Sequence, residues 1–312
     1  MKILFIDSTH PLLPQLLESA GFQCDQLPFK KTKDDYLPVI SNYDGCIIRS
    51  KFYIDEEFLD HAPNLKFIGR VGSGMESIDV KAAESRGIIC LNSPEGNRDA
   101  VAEHAIGMLL TLFNNINKAD SEVRTGKWYR EENRGVELSS KTVGIVGFGN
   151  VGRAFAEKLS GFGCKILAYD KYKTCYAPHY VQETDFDTIC KQCDIISFHV
   201  PLTDETNYMA NEQFFNCCKE GVYIINTSRG KVLNTNALIN AIKNGKVFGA
   251  CLDVLEYEQI SFESLSKTNP DFEWLCKSNQ VILTPHIAGW THESNLKLST
   301  ILAEKIIKLF GQ

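Results

Sequence analysis

Short runs rich in Ile, Val and Phe recur along the chain and alternate with stretches that have the spacing of amphipathic helices. Strands that are apolar throughout belong to parallel sheets with helices on both faces. The runs form two series on either side of residues 98–124, a helix-compatible stretch without proline that could bridge two domains or pack against a partner chain. We therefore predict two doubly wound α/β domains. The runs cover residues 2–7, 43–50, 65–70 and 87–92 in the first series, and 141–146, 165–170, 194–200, 222–228, 248–254 and 280–285 in the second.

Three further stretches predict helices. Residues 11–21 and 78–87 each end in a glycine, which suits the C-terminus of a helix. Residues 292–312 carry apolar side chains at a period of about 3.6 residues, so the chain is expected to end in a helix.

Composition narrows the class of protein. At about 100–200 residues per domain, 312 residues suffice for two domains. The 39 acidic and 33 basic residues leave a net charge of −6, which argues against binding to a nucleic acid. The opening MKILFID is too short for a signal peptide, and no run approaches the roughly 18 apolar residues that span a bilayer. We expect neither a nucleic-acid nor a membrane partner.

The cysteines indicate a reducing compartment. There are 11, an odd number, and they are dispersed along the chain rather than dense as in a secreted disulfide framework. We therefore expect a cytoplasmic protein. Cys190 and Cys193 have the spacing of half a zinc or redox site, but no second pair stands at ligand spacing. We interpret both as small buried residues on a helix and expect no metal.

A glycine-rich turn follows the first apolar run of the second series. Gly147, Gly149 and Gly152 match G-x-G-x-x-G directly before a helical stretch, and Asp170 closes the next run. In such a unit the glycines admit a pyrophosphate close to the backbone, and the helix N-terminus favours its charge. The acid accepts hydrogen bonds from the ribose and repels a 2′-phosphate. The spacing predicts NAD(H) rather than NADP(H).

Three polar residues lie near the ends of later runs in the second series, where an open α/β sheet forms its ligand crevice. Arg229 offers a planar fork for a carboxylate. Histidine is the side chain that commonly changes charge near neutral pH, which makes His286 a candidate acid/base, and a carboxylate such as Glu258 would orient a histidine and favour its charged form. Considered singly, each is more often a surface or loop residue than a catalytic one.

With these residues in place, the sequence resembles the D-isomer-specific 2-hydroxyacid dehydrogenases over nearly its whole length. The resemblance implies NAD-dependent interconversion of a D-2-hydroxy acid and its 2-keto acid. It also implies a flavodoxin-like substrate domain of residues 1–95 with 290–312, and an inserted Rossmann NAD-binding domain of residues 96–289 through which a homodimer forms. The matching segments, in the family's order, are residues 69–74, 94–104, 143–152, 199–206, 225–230, 252–258 and 284–289.

The resemblance also implies roles for single residues. Arg229 would bind the substrate carboxylate, His286 would be the acid/base, and Glu258 would pair with His286. Gln259 stands where the family commonly has proline, and the stretch from Glu258 to His286 is longer than usual, so Glu256 is an alternative partner for His286.

Further residues are implied for the two ligands. Backbone amides around Ser73 and Gly74 would hold the substrate carboxylate, and Asn97 would lie beside the substrate. His104, His199 and His292 are expected to pack or to line the cleft rather than to catalyse. The cofactor cleft would be formed by Gly147, Gly149, Asn150, Val151, Gly152, Asp170, Pro201, Thr206, Thr227 and Asp253.

The substrate is predicted from two segments. Residues 69–74 and 49–51 most resemble D-3-phosphoglycerate dehydrogenases, the first enzymes of serine biosynthesis. Arg49 and Lys51 would alternate along an extended segment, so that both side chains could bind the phosphate on one face. A glycerate dehydrogenase (hydroxypyruvate reductase) is the near alternative, and an NAD-sensing corepressor is another. Because the sequence ends just after its last helical stretch, no C-terminal regulatory domain is expected.

Overall fold

The protein divides into two compact α/β units. A computed structural model describes residues 1–28, 32–258 and 269–311. Within these residues, unit 1 consists of 1–97 and 290–311, and unit 2 of 98–258 and 269–289. The described helices include none that is both long and apolar enough to cross a membrane.

Unit 1 is built on a five-stranded parallel sheet with the order β2-β1-β3-β4-β5. The strands are β1 (Lys2–Phe5), β2 (Gln23–Gln26), β3 (Gly45–Ile48), β4 (Phe67–Arg70) and β5 (Ile89–Asn92). The helices are α1 (Leu12–Ser19), α2 (Lys33–Ile40), α3 (Glu56–Asp60), α4 (Val80–Ser85) and the C-terminal helix His292–Phe310. That last helix belongs to unit 1 because Leu302 and Ile306 are fully buried in one cluster with Ile3 and Phe67 of the sheet.

Unit 2 is built on a seven-stranded parallel sheet with the order β12-β11-β10-β9-β6-β7-β8. The strands are β6 (Thr142–Val146), β7 (Lys165–Tyr169), β8 (Gln182–Glu183), β9 (Ile195–Phe198), β10 (Val222–Asn226), β11 (Val247–Leu252) and β12 (Val281–Leu283). The helices are α5 (Arg98–Phe113), α6 (Ile116–Arg124), α7 (Asn150–Leu159), α8 (Phe186–Gln192), α9 (Glu212–Cys217), α10 (Thr235–Lys243) and α11 (Pro270–Lys277).

The order of the second sheet fixes where its ligand crevice lies. From β6 the chain runs outward through β7 and β8, and it then returns to build β9 to β12 on the other side. The direction therefore reverses between β6 and β9, and loops at the carboxyl ends of such neighbouring strands form the crevice. Both predicted doubly wound domains are confirmed.

The helix-compatible stretch of residues 98–124 is helical, but it is interrupted once. The stretch forms two helices, α5 and α6, because Asn115 adopts a left-handed conformation with φ of 52°. Asparagine tolerates this conformation better than most residues, whereas continuing a right-handed helix through it is excluded.

Candidate active site

The glycine-rich turn after β6 requires glycine at two positions, Gly147 and Gly152. Gly147 has φ of 92°, and a Cβ there would lie 2.6 Å from the carbonyl oxygen of His199. A Cβ on Gly152 would lie 2.1 Å from the carbonyl oxygen of Gly147. The turn leads into α7, whose first amides, from Asn150 onward, receive no side-chain cap. Such an uncapped N-terminus suits an anion.

Asp170 lies beside this turn at the end of β7. Its Oδ2 accepts a hydrogen bond from the amide of Phe148 at 2.9 Å, and its Oδ1 accepts one from the amide of Tyr172 at 3.1 Å. Lys173 Nζ lies 3.4 Å from Oδ2, and the aspartate side chain is 11% exposed. The carboxylate is thus placed by the backbone and partly balanced by one lysine.

Two threonines lie at the ends of the central strands. Thr227 follows β10, and its hydroxyl is buried without a hydrogen-bond partner among the described residues. Thr206, in the loop after β9, donates to the carbonyl of Pro201 at 2.6 Å. A buried hydroxyl without a partner costs free energy unless a ligand satisfies it.

His286 and Glu258 form a pair in the structure. His286 Nδ1 lies 2.7 Å from Glu258 Oε2, and the two side chains are 24% and 14% exposed. The amide of Leu255 donates to the other oxygen of Glu258, which fixes the carboxylate. His286 has φ of 55°, a strained conformation that must be held by its surroundings.

Asp253, at the end of β11, holds the loop that carries His286. Its Oδ1 accepts hydrogen bonds from the Thr284 hydroxyl at 2.6 Å and the Ile287 amide at 2.9 Å. Its Oδ2 accepts one from the Ala288 amide at 2.9 Å, and its carbonyl accepts one from the His286 amide at 2.8 Å. The residue is only 1% exposed.

Arg229 is positioned by a close approach of two loops. A Cβ on the next residue, Gly230, would lie 2.0 Å from the carbonyl carbon of Leu255, so glycine is required there. This contact brings the loop of Arg229 against the loop that leads to Glu258. Asn226 Nδ2 donates to the carbonyl of Arg229 at 2.9 Å, and Arg229 Nη1 donates to the carbonyl of Ser228 at 2.6 Å.

Glu256 has other partners. Its carboxylate accepts a hydrogen bond from the Tyr208 hydroxyl at 2.7 Å and one from the Thr235 amide, at the start of α10, at 2.9 Å. The hydrogen bond to Glu256 raises the pKa of Tyr208 to about 12. Of the two glutamates considered, Glu258 is therefore the one beside His286.

In unit 1, the structure brings Ser73 and Asn97 together. The Ser73 hydroxyl donates to Asn97 Oδ1 at 2.6 Å, next to Gly74. Arg70, which the sequence analysis did not single out, supports this loop: a Cβ on Gly72 would lie 1.5 Å from its Nη1. Arg70 Nε also donates to the carbonyl of Arg49 at 3.2 Å. Arg70 could have been predicted as a site residue from its position at the end of a parallel strand.

Arg49 and Lys51 do not lie on one extended face as predicted. β3 ends at Ile48, and residues 49–51 bend so that their three amides donate to Asp7 Oδ2, at 2.6, 3.0 and 3.2 Å. The Arg49 guanidinium stacks on Trp290, 4.3 Å from the ring centroid. The Lys51 ammonium donates instead to the Ile6 carbonyl and the Tyr36 hydroxyl, both at 3.1 Å.

Comparison with known proteins decides the family. Residues 106–288 match the family model described as "D-isomer specific 2-hydroxyacid dehydrogenase, NAD binding domain". The chain belongs to this family. The uncapped start of α7, the partnerless Thr227 hydroxyl and the placed Asp170 carboxylate all fit NAD, the cofactor of this domain.

Two curated relatives and one solved structure in this dehydrogenase family illustrate the similarity. The chain is 38% identical over 280 residues to a D-3-phosphoglycerate dehydrogenase of Archaeoglobus fulgidus, covering 89% of this chain but 51% of that protein, so it spans about half the relative's length. It is 37% identical to a hydroxypyruvate reductase of Thermotoga maritima, covering 89% of each. A D-lactate dehydrogenase from Aquifex aeolicus, solved with NAD and lactic acid, has a TM-score of 0.84 at 29% identity, covering 99% of this chain and 95% of that one.

Three further histidines named in the sequence analysis have distinct surroundings. His199 is half-buried with its Nδ1 shielded from solvent, and this burial lowers its pKa to about 3; its Nε2 lies 2.9 Å from the Ser197 hydroxyl. His104 Nε2 lies 3.0 Å from the Thr284 hydroxyl and 3.7 Å from Asp253 Oδ1, a charge partner that sequence spacing did not indicate. His292 is exposed at the start of the C-terminal helix.

The cysteine pair has no metal-site geometry. Cys190 and Cys193 are 3% and 0% exposed, Cys190 near the end of α8 and Cys193 just after it. Over the described ranges, no three His, Cys, Asp or Glu side chains are grouped so that they could hold a metal ion.

Proposed function

We propose that the protein is an NAD-dependent dehydrogenase that interconverts a D-2-hydroxy acid and its 2-keto acid. The observation that carries the proposal is the pair of His286 and Glu258, 2.7 Å apart, on loops of an NAD-binding domain. Bound nicotinamide supplies or accepts the hydride. His286 gives a proton to the keto oxygen in reduction and takes it from the hydroxyl in oxidation.

The neighbouring residues complete this chemistry. Arg229 binds the substrate carboxylate, for which its planar fork is suited. It lies near Glu258 because its loop is held against the loop that leads to that residue. Glu258, already fixed by the Leu255 amide, orients the imidazole and stabilises its charged form. Asp253 keeps His286 in its strained conformation. In unit 1, Ser73, Gly74 and Asn97 are the residues that we propose for substrate binding.

The specific substrate we propose is the pair D-3-phosphoglycerate and 3-phosphohydroxypyruvate, in serine biosynthesis. The similarity to a phosphoglycerate dehydrogenase supports it, and so does Arg49, whose guanidinium the Trp290 ring holds in place. Hydroxypyruvate is the second candidate. It is favoured by the Lys51 ammonium, which already bonds to the Ile6 carbonyl and the Tyr36 hydroxyl, and by the Asp7 charge beside the turn.

We further propose that two copies associate through unit 2, in the cytoplasm. None of the residues of α6 is buried, and apolar side chains in and after it are exposed: Ile116 by 50%, Val123 by 51% and Trp128 by 76%. Exposed apolar patches of this kind favour association with another protein surface. A second copy of the chain would cover this one. The eleven free thiols support a reducing compartment. Light scattering in solution tests the association.

Oxidation of NADH with phosphohydroxypyruvate, hydroxypyruvate and pyruvate tests the activity. His286→Asn should lower keto-acid reduction by about 10²- to 10⁴-fold, the usual contribution of a general acid. Reduction needs protonated His286 and oxidation needs the neutral form, so the two directions should have opposite pH dependence. Glu258→Gln should move both pH profiles downward, because the imidazolium loses its partner.

Glu256→Gln is the matched control, since it makes the same change two residues away. Its profiles should stay where the parent's lie, because Glu256 bonds to Tyr208 and Thr235 instead. Profiles that shift with Glu256→Gln and stay with Glu258→Gln would reverse the assignment. A protein that oxidises NADH with none of the three keto acids would contradict the proposed activity.

A further inference from the structure

Two lysines follow closely after Asp170 in the sequence, Lys171 and Lys173, and each forms an ion pair with an acidic side chain. Lys173 pairs with Asp170 itself, at 3.4 Å. Lys171 pairs with Glu205 at 2.7 Å, and the hydroxyl of Tyr172 donates a short hydrogen bond of 2.5 Å to the same glutamate. We call Lys171, Tyr172 and Glu205 the Glu205 bridge.

The position of the Glu205 bridge follows from the sheet. Lys171 and Tyr172 lie in the loop after β7, and Glu205 lies in the loop after β9. These strands are the two neighbours of β6, whose own loop is the glycine-rich turn. The bridge therefore joins the loops on both sides of that turn, at the edge of the sheet where a dinucleotide binds its adenosine end.

The charges around Asp170 balance. Asp170 and Glu205 are negative, Lys171 and Lys173 are positive, and the four are linked by the two ion pairs. A ribose 2′-phosphate, with about −1.5 to −2 charges near neutral pH, therefore meets no net positive charge. Without Glu205, the remaining Asp170, Lys171 and Lys173 would together carry one net positive charge. Lys171 would then have lost its ion pair beside the ribose site.

We propose that Glu205 is a second determinant of cofactor choice, which keeps Lys171 from a ribose 2′-phosphate and repels that phosphate by its own charge. Asp170 alone provides a weaker barrier than its position indicates, since Lys173 already balances it. The inference rests on the proposed dehydrogenase function and extends it to the discrimination between NADH and NADPH.

Equilibrium binding of NADH and NADPH, followed by the fluorescence of the reduced nicotinamide, tests this without turnover. Glu205→Gln should tighten NADPH binding by about three- to fivefold, an effect of the size of one exposed ion pair, and should change NADH binding by less than about twofold. Asp204→Asn is the matched control, because it removes the same charge from the same exposed loop outside the bridge. It should leave the ratio of the two affinities near that of the parent.

Two further variants separate charge from shape. Tyr172→Phe removes the hydrogen bond but keeps all charges, so the ratio should not change. Lys171→Met combined with Glu205→Gln should lose the gain in NADPH binding, because the released lysine is gone.

The proposal would be overturned by several results. These are equal changes for both cofactors in Glu205→Gln, no change at all, an equal gain in Asp204→Asn, or a gain that persists in the double variant. A parent protein that binds NADH but reduces no keto acid would contradict the proposed function, while these affinity ratios would still decide the role of Glu205.

Discussion

Two aspartates hold functional loops in the two units, and they use their oxygens differently. Asp253 in unit 2 is buried, and both of its oxygens accept hydrogen bonds from the loop of His286. One oxygen accepts from Thr284 and Ile287, and the other accepts from Ala288. Asp7 in unit 1 is half-buried and takes the three amides of residues 49–51 on Oδ2 alone. Asparagine has only one accepting oxygen. We therefore expect Asp7 to tolerate substitution by asparagine better than Asp253 does.

The largest effect is expected from asparagine at these two positions. In Asp253→Asn an amide NH₂ must face a backbone or hydroxyl donor, which leaves buried groups unsatisfied and should lower the free energy of unfolding by about 2–4 kcal/mol. Because the His286 loop loses its anchor, keto-acid reduction should fall at least tenfold. Asp7→Asn keeps the accepting oxygen and should cost less than about 1 kcal/mol. Urea unfolding of both variants measures this difference.

Equal losses of stability in the two variants would contradict the comparison. A stable Asp253→Asn protein with normal activity would show that the loop of His286 is held by its other contacts.

The next largest effect is expected on substrate preference, and it depends on the different partners of Arg49 and Lys51. A charge-assisted hydrogen bond contributes about 1.5–3 kcal/mol, so Arg49→Ala should lower kcat/KM for phosphohydroxypyruvate about ten- to a hundredfold. Hydroxypyruvate, which has no phosphate, should be affected far less. Lys51→Met is the control: its ammonium serves the Ile6 carbonyl and the Tyr36 hydroxyl, so stability should fall while the ratio of the two substrates stays.

Equal losses on both substrates in Arg49→Ala would indicate that Arg49 only packs against Trp290. A parent protein that prefers hydroxypyruvate would favour the glycerate dehydrogenase alternative.

The strands and the loop anchors differ in how well a sequence reveals them. Strands buried on both faces were predicted because their apolar runs are continuous, as in β9 and β10. The edge strand β2, with the sequence QCDQ, was missed because an edge strand with no fully buried residue needs no apolar run. Asn115, which separates α5 from α6, was not recognised because its neighbours are all compatible with a helix.

The same distinction holds for the candidate site. Arg229, Glu258 and His286 were singled out because they stand at strand ends in recognisable segments. Asp253 was also named, although for the cofactor cleft rather than as an anchor. The anchors of unit 1 were not, because their partners are distant along the chain: Asp7 binds amides that lie 42 to 44 residues away, and Arg70 donates to a carbonyl 21 residues away. Only the sheet order, with β3 between β1 and β4, makes them neighbours.

The smallest effect concerns acid stability, in which the two units also differ. Burial lowers the pKa of His199 in unit 2 to about 3, and its Nδ1 is buried without a hydrogen-bond partner among the described residues, whereas His61 and His292 of unit 1 are exposed. The unfolded chain binds a proton at this histidine below a pH of about 6.5, but the folded chain stays neutral there. His199 thus contributes no acid sensitivity above pH 6.5, and stability should fall as pH decreases from there toward 3.

Between pH 6.5 and 5 this proton should cost the parent about 2 kcal/mol of unfolding free energy, at about 1.4 kcal/mol per pH unit. Carboxylates such as Asp44 and Asp194, whose pKa values are lowered by hydrogen bonds and lysines, lose their stabilising effect only at lower pH, so the window isolates the histidine. His199→Gln should remove most of this slope, and His61→Gln, an exposed control, should keep it. Urea unfolding at pH 7.5, 6.5, 5.5 and 5.0 measures the slopes. A parent and a His199→Gln protein with the same slope would place the acid sensitivity elsewhere than at His199.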